Sequence, residues 1–454
     1  MSGSTIATTG MSCFTVPPHL TQIGASAFYL CNELKKLEFP KNSELQVISK
    51  FAFCETSIEN VTFSPHITSI GESAFSNCSK LKKVEFSPDS ELREISELMF
   101  FKSSIESVKL SPHLTKINNC AFAFCSNLSH IEIPENSELE IIDVEAFGET
   151  AIESFIVPCH LTKIVGYTFS GCKKLQKVEV PSNCDLELIE SLSILSQKVE
   201  LANGWCMETP KLTKIRITPA SSRYSYLNNK FLLAKSSPES DCYDVLLFAR
   251  RDVSEVVIPS FIRKIGSFAF NNCEFIKSIE VPEDSKLEII EKHAFYNSSI
   301  EAITIPANVS DLREKWCSGT SKLTSITISP SNKFYKYLND AYIMSEMSPE
   351  SGTFDVLHFA RRDIKEAIIP KDVKMIDANA FDCCKQLNHV EIPVDSVLQE
   401  IGKFAFFCSS IETFFISPHI TKICKGAFSD CNSLSRFEIR SLIQLVAMYS
   451  LSHP

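Results

Sequence analysis

The sequence predicts a repeat solenoid of the α/β type, in which one parallel sheet of about 18 strands is flanked by short coils and turns on its convex side. Three observations predict this fold class. Histidines, phenylalanines and cysteines recur every 47 residues in the N-terminal part of the chain, beginning with His19, Phe28 and Cys31. Each half of that period contains a short strand motif, and each contains one phenylalanine at a fixed place. Internal repetition of this kind is typical of stacked structural units.

The strand motif reads L-x-x-L-x-L and occurs once in each coil of 23 or 24 residues. Leu34, Leu37 and Phe39 form one example. Because apolar and polar residues alternate at its end, the motif indicates a short strand with one buried face. Seventeen such motifs begin at Met11, Leu34, Ile58, Leu81, Ile105, Leu128, Ile152, Leu175, Leu212, Val253, Ile276, Ile300, Leu323, Ile364, Leu387, Ile411 and Leu434.

The second half of each coil reads L/I-x-x-I-x-x-x-A-F, as in Leu20, Ile23, Ala27 and Phe28. One large ring at the same place in successive coils predicts a continuous aromatic column, which we call the phenylalanine spine. Burial of each ring would contribute about 1.5–3 kcal/mol to the free energy of folding. The twelve predicted members are Phe28, Phe53, Phe75, Phe100, Phe122, Phe147, Phe169, Phe270, Phe295, Phe381, Phe406 and Phe428.

Two related inserts interrupt the repeats, 111 residues apart. Residues 249–252 (Ala-Arg-Arg-Asp) recur at 360–363, and Trp205 recurs as Trp316. Apolar runs on both sides of a Ser/Pro-containing turn predict a β-hairpin in each insert, and we expect both tryptophans to be structural. A shortened coil before Trp205 predicts a kink. The predicted regions are an N-terminal tail (1–10), repeats (11–204), an irregular coil with a hairpin insert (205–258), repeats (259–315), a second irregular coil with a hairpin insert (316–369), repeats (370–439) and a C-terminal cap with a short helix (440–454).

Composition argues against several classes of protein. Net charge is −10, with 45 Lys and Arg against 55 Asp and Glu, and no basic stripe is interleaved with aromatic residues. A nucleic-acid partner is therefore not expected. No signal peptide is seen, and no apolar stretch reaches the roughly 20 residues that a transmembrane helix needs. We therefore expect a soluble chain without a transmembrane segment.

Seven of the 18 cysteines lie three residues after a spine phenylalanine, and serine or threonine occupies that place in the intervening coils. Strands stack about 4.8 Å apart, so two such cysteines would lie about 9.6 Å apart. A disulfide needs Cα atoms within about 7 Å. We therefore predict a ladder of thiols and hydroxyls bonded to neighbouring backbone groups. Its cysteines are Cys31, Cys78, Cys125, Cys172, Cys273, Cys384 and Cys431.

Five histidines precede a Leu/Ile-Thr pair at one place in the repeat. A row of imidazoles suits pH sensing or metal binding, but residues two coils apart are too distant to share one metal ion. The structural interpretation is a turn residue whose ring bonds local backbone, and we predict neither a metal site nor a cofactor. The histidines are His19, His66, His113, His160 and His419.

The strand residues on either side of the middle apolar position should face solvent and form a binding surface. The predicted contacts on this strand face are Lys36, Glu38, Asn60, Thr62, Lys83, Glu85, Ser107, Lys109, His130, Glu132, Lys177 and Glu179. The inserts add Tyr224, Tyr226, Tyr335 and Tyr337 as predicted contacts, although these rings would also suit packing between the hairpin and the next coil.

No catalytic residue is predicted. Paired carboxylates for glycoside hydrolysis lie about 5–9.5 Å apart, and the strand-face Glu column formally offers that spacing, which leaves a hydrolase as a remote alternative. A regular row of Glu and Lys is more typical of a solvated sheet face with cross-strand pairs. An enzyme would need one constellation that does not repeat, and the only irregular regions are two inserts that duplicate each other. We therefore predict a non-enzymatic protein.

The chain resembles the BspA-like leucine-rich repeat family through motifs such as IEIPENSELEIIDVEAF and SPHLTKINNCAFAFCSNL, and the resemblance runs from about Met11 to about Ile439. Members are best known as surface proteins of bacteria and of parasitic protists. The resemblance implies a protein-binding surface antigen or adhesin that contacts host or extracellular-matrix proteins, at the cell surface or outside the cell. A cytoplasmic protein-interaction scaffold is the alternative, because no signal peptide is seen and the ladder predicts reduced thiols.

Overall fold

The structure, a computed structural model, describes residues 10–179, 200–201, 206–207, 209–216, 224–237, 240–348 and 352–439. The chain divides into two compact units, Met1–Tyr226 (unit 1) and Leu227–Pro454 (unit 2). Within the described residues every regular element is a β-strand. The solenoid is confirmed, and the α/β label is corrected to a β-solenoid, because the segments that join the strands are turns rather than helices.

In unit 1 the strands are β1 (Cys13–Thr15), β2 (Gln22–Ile23), β3 (Lys36–Glu38), β4 (Val47–Ile48), β5 (Asn60–Phe63), β6 (Ser69–Ile70), β7 (Lys83–Phe86), β8 (Glu94–Ile95), β9 (Ser107–Lys109), β10 (Lys116–Ile117), β11 (His130–Glu132), β12 (Ile141–Ile142), β13 (Ser154–Ile156), β14 (Lys163–Ile164), β15 (Lys177–Glu179), β16 (Glu200–Leu201) and β17 (Lys214–Arg216).

Strand β18 (Tyr224–Leu227) spans the boundary. In unit 2 the strands are β19 (Phe231–Ala234), β20 (Val245–Ala249), β21 (Glu255–Val257), β22 (Lys264–Ile265), β23 (Ser278–Glu280), β24 (Ile289–Ile290), β25 (Ala302–Ile305), β26 (Asp311–Leu312), β27 (Ser325–Ile328), β28 (Tyr335–Leu338), β29 (Tyr342–Ser345), β30 (Val356–Ala360), β31 (Glu366–Ile368), β32 (Met375–Ile376), β33 (His389–Glu391), β34 (Glu400–Ile401), β35 (Thr413–Ile416), β36 (Lys422–Ile423) and β37 (Arg436–Ile439).

All seventeen predicted strand motifs form strands. They pair in parallel with the next motif along the chain, in the orders β1-β3-β5-β7-β9-β11, β13-β15-β17, β21-β23-β25-β27 and β31-β33-β35-β37. We call these the primary sheets. Their register places equivalent residues of successive coils side by side, so that Val61 lies opposite Val84 and Phe63 opposite Phe86. Because side chains alternate across a strand, this register gives one apolar face and one polar face.

A second set of parallel sheets lies where the sequence predicts only turns. Its two-residue strands end on the isoleucine of the L/I-x-x-I motif, as in Gln22–Ile23 and Val47–Ile48, or on a leucine, as in Glu200–Leu201 and Asp311–Leu312. In unit 1 they pair in the orders β2-β4-β6 and β16-β14-β12-β10-β8. Coils of nearly equal length bring equivalent backbone groups together at each step. The pairing of these short strands gives hydrogen-bond partners to buried N–H and C=O groups that would otherwise have none.

The phenylalanine spine is confirmed in both units. In unit 1 the ring centroids of Phe28 and Phe53 are 5.1 Å apart, those of Phe53 and Phe75 are 5.2 Å apart, and stacking continues to Phe169. In unit 2 the rings of Phe406 and Phe428 stack at 5.2 Å. These distances lie within the 4.5–7 Å over which aromatic pairs attract. The spine therefore forms much of the buried core.

Left-handed residues on both sides of each ring explain why the Phe segments are not helical. Around Phe28, Ser26 has φ 55° and Leu30 has φ 61°. Right-handed helices exclude such values. The turn instead aims the N–H of Phe28 at the carbonyl of Ala52 in the next coil, at 2.8 Å. The backbone between the two types of sheet is thus also hydrogen-bonded from coil to coil.

The coil before the second insert breaks the spine. Phe295 donates its N–H to the carbonyl of Trp316, so Trp316 holds the place that alanine holds elsewhere, and the buried Cys317 holds the place of phenylalanine. The Trp316 ring fills the gap, with its centroid 5.9 Å from that of Phe295 and 6.0 Å from that of Phe359. Trp316 is therefore structural, as predicted, while Trp205 lies outside the described residues.

Each insert contains the predicted hairpin and one strand more. In the second, β28 pairs antiparallel with β29, β29 pairs antiparallel with β30, and β30 pairs parallel with β32. Asn339 and Asp340 both have positive φ between β28 and β29, which is the requirement of a type I′ turn. The first insert repeats the β19-β20-β22 part of this order, with positive φ at Asn228 and Asn229.

Several predictions fall on residues outside the described ranges. They are the kink before Trp205, the C-terminal helix (440–454) and the N-terminal tail apart from Gly10. The described part of the chain contains no helix long and apolar enough to cross a membrane.

Candidate binding surface

The polar face of the β1–β11 sheet presents two parallel files of side chains. Each strand buries or half-buries its middle residue and exposes its two neighbours to some degree. The register aligns the first of these neighbours across all six strands, from Cys13 to His130. The first file is Cys13, Lys36, Asn60, Lys83, Ser107 and His130. The second file, two residues later in each strand, is Thr15, Glu38, Thr62, Glu85, Lys109 and Glu132. We call these two files together the polar face.

Charge is divided unevenly between the two files. The first contains Lys36, Lys83 and His130 and has no acidic residue, whereas the second contains three glutamates and one lysine. Ion pairs join them locally, since Lys83 Nζ lies 2.6 Å from Glu85 Oε1. Exposed pairs of this kind contribute only about 0–1 kcal/mol. A partner could therefore replace them at little cost.

The glutamates of the polar face are not adjacent to one another. Thr62 lies opposite Glu85 in the neighbouring strand, and Lys109 lies between Glu85 and Glu132. A hydrogen bond from Lys83, which outweighs a smaller opposing effect of burial, lowers the pKa of Glu85. A general acid for glycoside hydrolysis needs a raised pKa. The geometry therefore disfavours a hydrolase built on the Glu column.

The remaining predicted strand-face pair lies in the β13-β15-β17 sheet. Lys177 and Glu179 are half-buried, and their charged atoms are 2.6 Å apart. In the neighbouring strand, Ile156 lies opposite Glu179 and is 58% exposed. The primary sheets of unit 2 also expose apolar residues at this position, Val257 and Ile368. All twelve predicted strand-face residues thus reach solvent, and the face is most polar along β1–β11.

The four insert tyrosines differ in exposure. Tyr335 is buried, and Tyr224, Tyr226 and Tyr337 are half-buried. The hydroxyl oxygen of Tyr335 accepts a hydrogen bond from the N–H of Leu312 at 2.9 Å, and burial raises its pKa to about 12. Contact of these rings with a partner stays a prediction.

At three of its five positions the histidine column pairs with a carboxylate and not with local backbone as predicted. The Nδ1 atoms of His19, His66 and His113 instead lie 3.0–3.4 Å from a glutamate oxygen in the next coil. The reason is register, because a glutamate follows the Asx-Ser turn one coil later at the same height, as Glu138 does for His113. The hydrogen bond from His113 is the largest effect that lowers the pKa of Glu138. Each of these three rings is thus an exposed partner of a carboxylate. Among the described residues, no group of three His, Cys, Asp or Glu is placed to hold a metal ion.

The cysteine ladder is confirmed from Cys78 to Cys172 in unit 1, whereas the Ser298 hydroxyl, at a ladder place in unit 2, has no hydrogen-bond partner among the residues that the structure describes. Cys78 Sγ donates to the carbonyl of Phe53 at 3.2 Å, and Cys125 Sγ donates to that of Phe100 at 3.0 Å. In the alternate place, Ser103 Oγ donates to the carbonyl of Phe75 at 2.7 Å. Burial raises the pKa of both thiols to about 12. These cysteines are therefore inert scaffold groups at neutral pH.

Repeat geometry of this kind is shared with known proteins. The family model described as a BspA-type leucine-rich repeat region, in six copies, matches residues 5–122, 93–200, 246–345 and 355–453. The chain belongs to the BspA-type leucine-rich repeat family. Leucine-rich repeat proteins generally bind other proteins.

Solved structures agree with the leucine-rich repeat fold. A leucine-rich repeat protein from Eubacterium ventriosum matches with a TM-score of 0.53 and 19% identity, over 78% of this chain and 84% of that one. A leucine-rich cell surface protein from Faecalibacterium prausnitzii matches with a TM-score of 0.41 and 18% identity, over 96% and 90%. The pneumococcal vaccine antigen PcpA matches with a TM-score of 0.40 and 15% identity, over 95% and 89%. Of these three, the first has a TM-score above 0.5, and at 19% identity it shows the fold alone. None of the curated proteins matches the chain.

One polar cluster of this leucine-rich repeat protein is absent from the sequence predictions. Ser345 and His358 of the second insert form a hydrogen-bonded series with Asp377 of the coil that follows it. No motif marks them, because two lie on different strands and the third directly follows another strand. A residue-by-residue comparison of the two inserts would have found them, since the places 111 residues earlier hold Ala234, Leu247 and Gly266.

Proposed function

We propose that the polar face binds another protein, and that the chain acts as a surface antigen or adhesin toward host or extracellular-matrix proteins. The observation that carries the proposal is the pair of files along β1–β11, one without acidic residues and one mostly acidic. Six strands in one register hold these side chains on rigid backbone, so they are arranged before binding. Preorganised contacts lose less entropy when a complex forms.

The charge pattern indicates the kind of partner. A protein surface with an acidic row beside a basic row would complement the two files, and such complementarity speeds encounter and fixes orientation. The intrafile and interfile ion pairs are exposed, so binding that exchanges them should weaken as salt rises. Family membership supports the surface role, because BspA-type proteins are best known at cell surfaces.

Binding is tested with the full chain on immobilised fibronectin, laminin and collagen, measured by interferometry at two salt concentrations. Replacing Lys36 and Lys83 with Glu reverses the charge of the first file, and we expect at least tenfold weaker binding. The matched control replaces the exposed Lys50 and Lys80 with Glu, which makes the same change of net charge away from the polar face. Equal binding by the two double variants would refute the assigned surface, and no binding to any matrix protein would refute the matrix partner.

The location is tested separately by labelling intact, unpermeabilised cells of the source organism with an antibody against the chain. Surface labelling is expected for an antigen or adhesin. Labelling only after permeabilisation would instead support an intracellular scaffold, which the reduced thiol donors at Cys78 and Cys125 favour. Either result leaves the binding test on the polar face unaffected.

A further inference from the structure

Three polar side chains meet on the sheet of the second insert. Ser345 ends β29, His358 lies in β30, and Asp377 directly follows β32, and these strands are neighbours in one sheet. Ser345 Oγ lies 2.6 Å from His358 Nε2, and His358 Nδ1 lies 2.7 Å from Asp377 Oδ2. Both distances are those of strong hydrogen bonds.

The positions of the protons in this hydrogen-bonded series follow from the chemistry of the three side chains. An ionised carboxylate can only accept, so Nδ1 of His358 carries the proton that bonds Asp377. In a neutral imidazole the other nitrogen then accepts, and the Ser345 hydroxyl donates to Nε2. The backbone N–H of Ala378 donates to Asp377 Oδ1 at 2.7 Å and fixes the carboxylate. A serine bonded to a base, and a base oriented by a carboxylate, is the arrangement that activates a nucleophile.

A β-bulge aims the imidazole. The register between β29 and β30 shifts between Ile343 and Met344, which pair with Phe359 and Leu357 and leave His358 as the extra residue. Bulges re-aim side chains and are common beside active sites. The Tyr335 ring meets the imidazole edge to face, with centroids 5.5 Å apart. The His358 side chain is thereby held at 16% exposure, partly shielded from water.

An open cavity lies beside the imidazole. It has room for about one water molecule, and Arg313, Lys315, Trp316, His358 and Asp377 are among its lining residues, whereas Ser345 is not. A substrate would therefore have to reach the half-buried Ser345 from solvent, which favours a small ester over a polymer.

The first insert shows that the fold does not need these groups. It has the same strands, the same bulge at the place of Leu247 and a tyrosine at the place of Tyr335, but Ala234 and Gly266 stand where Ser345 and Asp377 stand in the second. All three polar positions differ together. A network that only pinned the strands would be expected in both copies.

We propose that Ser345, His358 and Asp377 form an acyl-transfer site for small carboxylic esters. Ser345 Oγ bonds to the ester carbonyl carbon while His358 Nε2 takes the hydroxyl proton. The bond from that carbon to the leaving oxygen then breaks, and the alcohol departs with the proton from His358. Water repeats the sequence, giving its proton to His358 and releasing the acid and the serine. This activity goes beyond protein binding and does not depend on it.

The test uses a fluorophosphonate probe on the full chain, because Ser345 Oγ would displace fluoride from phosphorus and keep a stable phosphonyl group. Tryptic mass spectrometry should locate the label on Ser345. Hydrolysis of p-nitrophenyl acetate, followed by p-nitrophenolate absorbance, gives a second readout. Base catalysis of this type contributes about 10²–10⁴-fold, so loss of the base should slow labelling by at least tenfold.

The variants take their residues from the first insert, where the fold accepts them: Ser345→Ala, His358→Leu and Asp377→Gly. We expect the first to abolish the label and the other two to slow it at least tenfold, with thermal unfolding unchanged within a few degrees. The matched control is Ser236→Ala, because the Ser236 hydroxyl bonds the Asp244 carboxylate directly at 2.9 Å. Labelling of Ser345 no faster than that of Ser236, or unaffected by His358→Leu in protein that still folds, would overturn the proposal. If His358→Leu does not fold, His358→Gln decides by the same criterion.

Discussion

The two inserts have the same backbone and different polar groups. Both form antiparallel strands closed by a left-handed turn, both have a bulge in the last strand, and both bury an arginine, Arg251 and Arg362, at 1% and 3% exposure. Arg251 Nη1 donates to the carbonyl of Ala269 at 3.0 Å, and Arg362 Nη1 donates to that of Ala380 at 2.9 Å. The shared features indicate what the fold requires.

The differences lie around the same framework. Beyond Ser345, His358 and Asp377, the second insert has the buried Asp382 where the first has Asn271. Asp382 Oδ2 accepts hydrogen bonds from the Ser318 hydroxyl and the Gly319 N–H, at 2.8 and 2.9 Å. The two inserts therefore share their backbone geometry and differ in the charged groups buried around it.

The largest expected loss of stability follows replacement of a buried arginine, and it should differ between Arg362 and Arg251. Burial alone would lower the pKa of Arg362, but the neighbouring Cys384, Cys317 and Asp382 more than offset it, so the pKa is raised. Arg362→Met would leave Asp382 buried without that neighbour, and we expect a loss of about 3–5 kcal/mol in the free energy of unfolding. Arg251→Met, beside the neutral Asn271, should lose only about 1–3 kcal/mol. Urea unfolding followed by circular dichroism measures both, and equal losses would contradict the role given to Asp382.

The coil before the second insert offers a test of its altered spine. Trp316→Ala removes a buried ring next to Cys317, and we expect a loss of about 3 kcal/mol because neither residue then fills the spine. Cys317→Phe alone should cost about 1–3 kcal/mol by overpacking against Trp316. The double variant recreates the Ala-Phe pair of the regular coils and should recover most of the loss. Additive losses in the same urea experiment would show that the two positions do not share one space.

Ladder thiols of the regular coils should make the protein sensitive to alkali. Their folded-state pKa is raised to about 12 at Cys78 and Cys125, above the value of about 8.5 in unfolded chains. A raised pKa means that the stabilisation is complete below pH 8.5 and is lost as pH rises toward 12. Each thiol should then lose about 1.4 kcal/mol of stability per pH unit in that window.

Cys78→Ser and Cys125→Ser keep a hydrogen-bond donor at the ladder and remove the titration. We expect the double variant to lose less stability than the parent between pH 8 and pH 10, as measured by urea midpoints. As a comparison, Cys384 beside the second insert reaches the carbonyl of Arg361 only at 3.8 Å, so Cys384→Ser tests a looser ladder position. A parent and double variant with the same alkaline slope would exclude buried thiols as its cause.

The sequence predicts best what repeats with a strong period. Alternating apolar residues located all seventeen primary strands, and one phenylalanine per coil located the spine. The second set of sheets was not predicted, because a strand of two residues, such as Gln22–Ile23, is too short to show an alternation of apolar and polar residues. The sequence did not predict the contact between Ser345, His358 and Asp377 for a different reason. Their contact depends on the pairing of β30 with β29 and β32. The spacing of residues along the sequence does not predict which strands of an insert pair.

The smallest expected effect is the most direct test of what distinguishes the inserts. Ala234→Ser, Leu247→His and Gly266→Asp, introduced together in a Ser345→Ala background, place the three polar groups on the first insert. A Cβ at Gly266 would lie 3.1 Å from the carbonyl oxygen of Leu246, so that neighbour must shift slightly. We expect slow but measurable fluorophosphonate labelling at position 234, weaker than at Ser345 because the side chains that line the cavity are not transferred with the three groups. Labelling that needs the introduced histidine would show that the three groups suffice on this backbone. No labelling in folded protein would assign the difference between the inserts to the cavity beside His358.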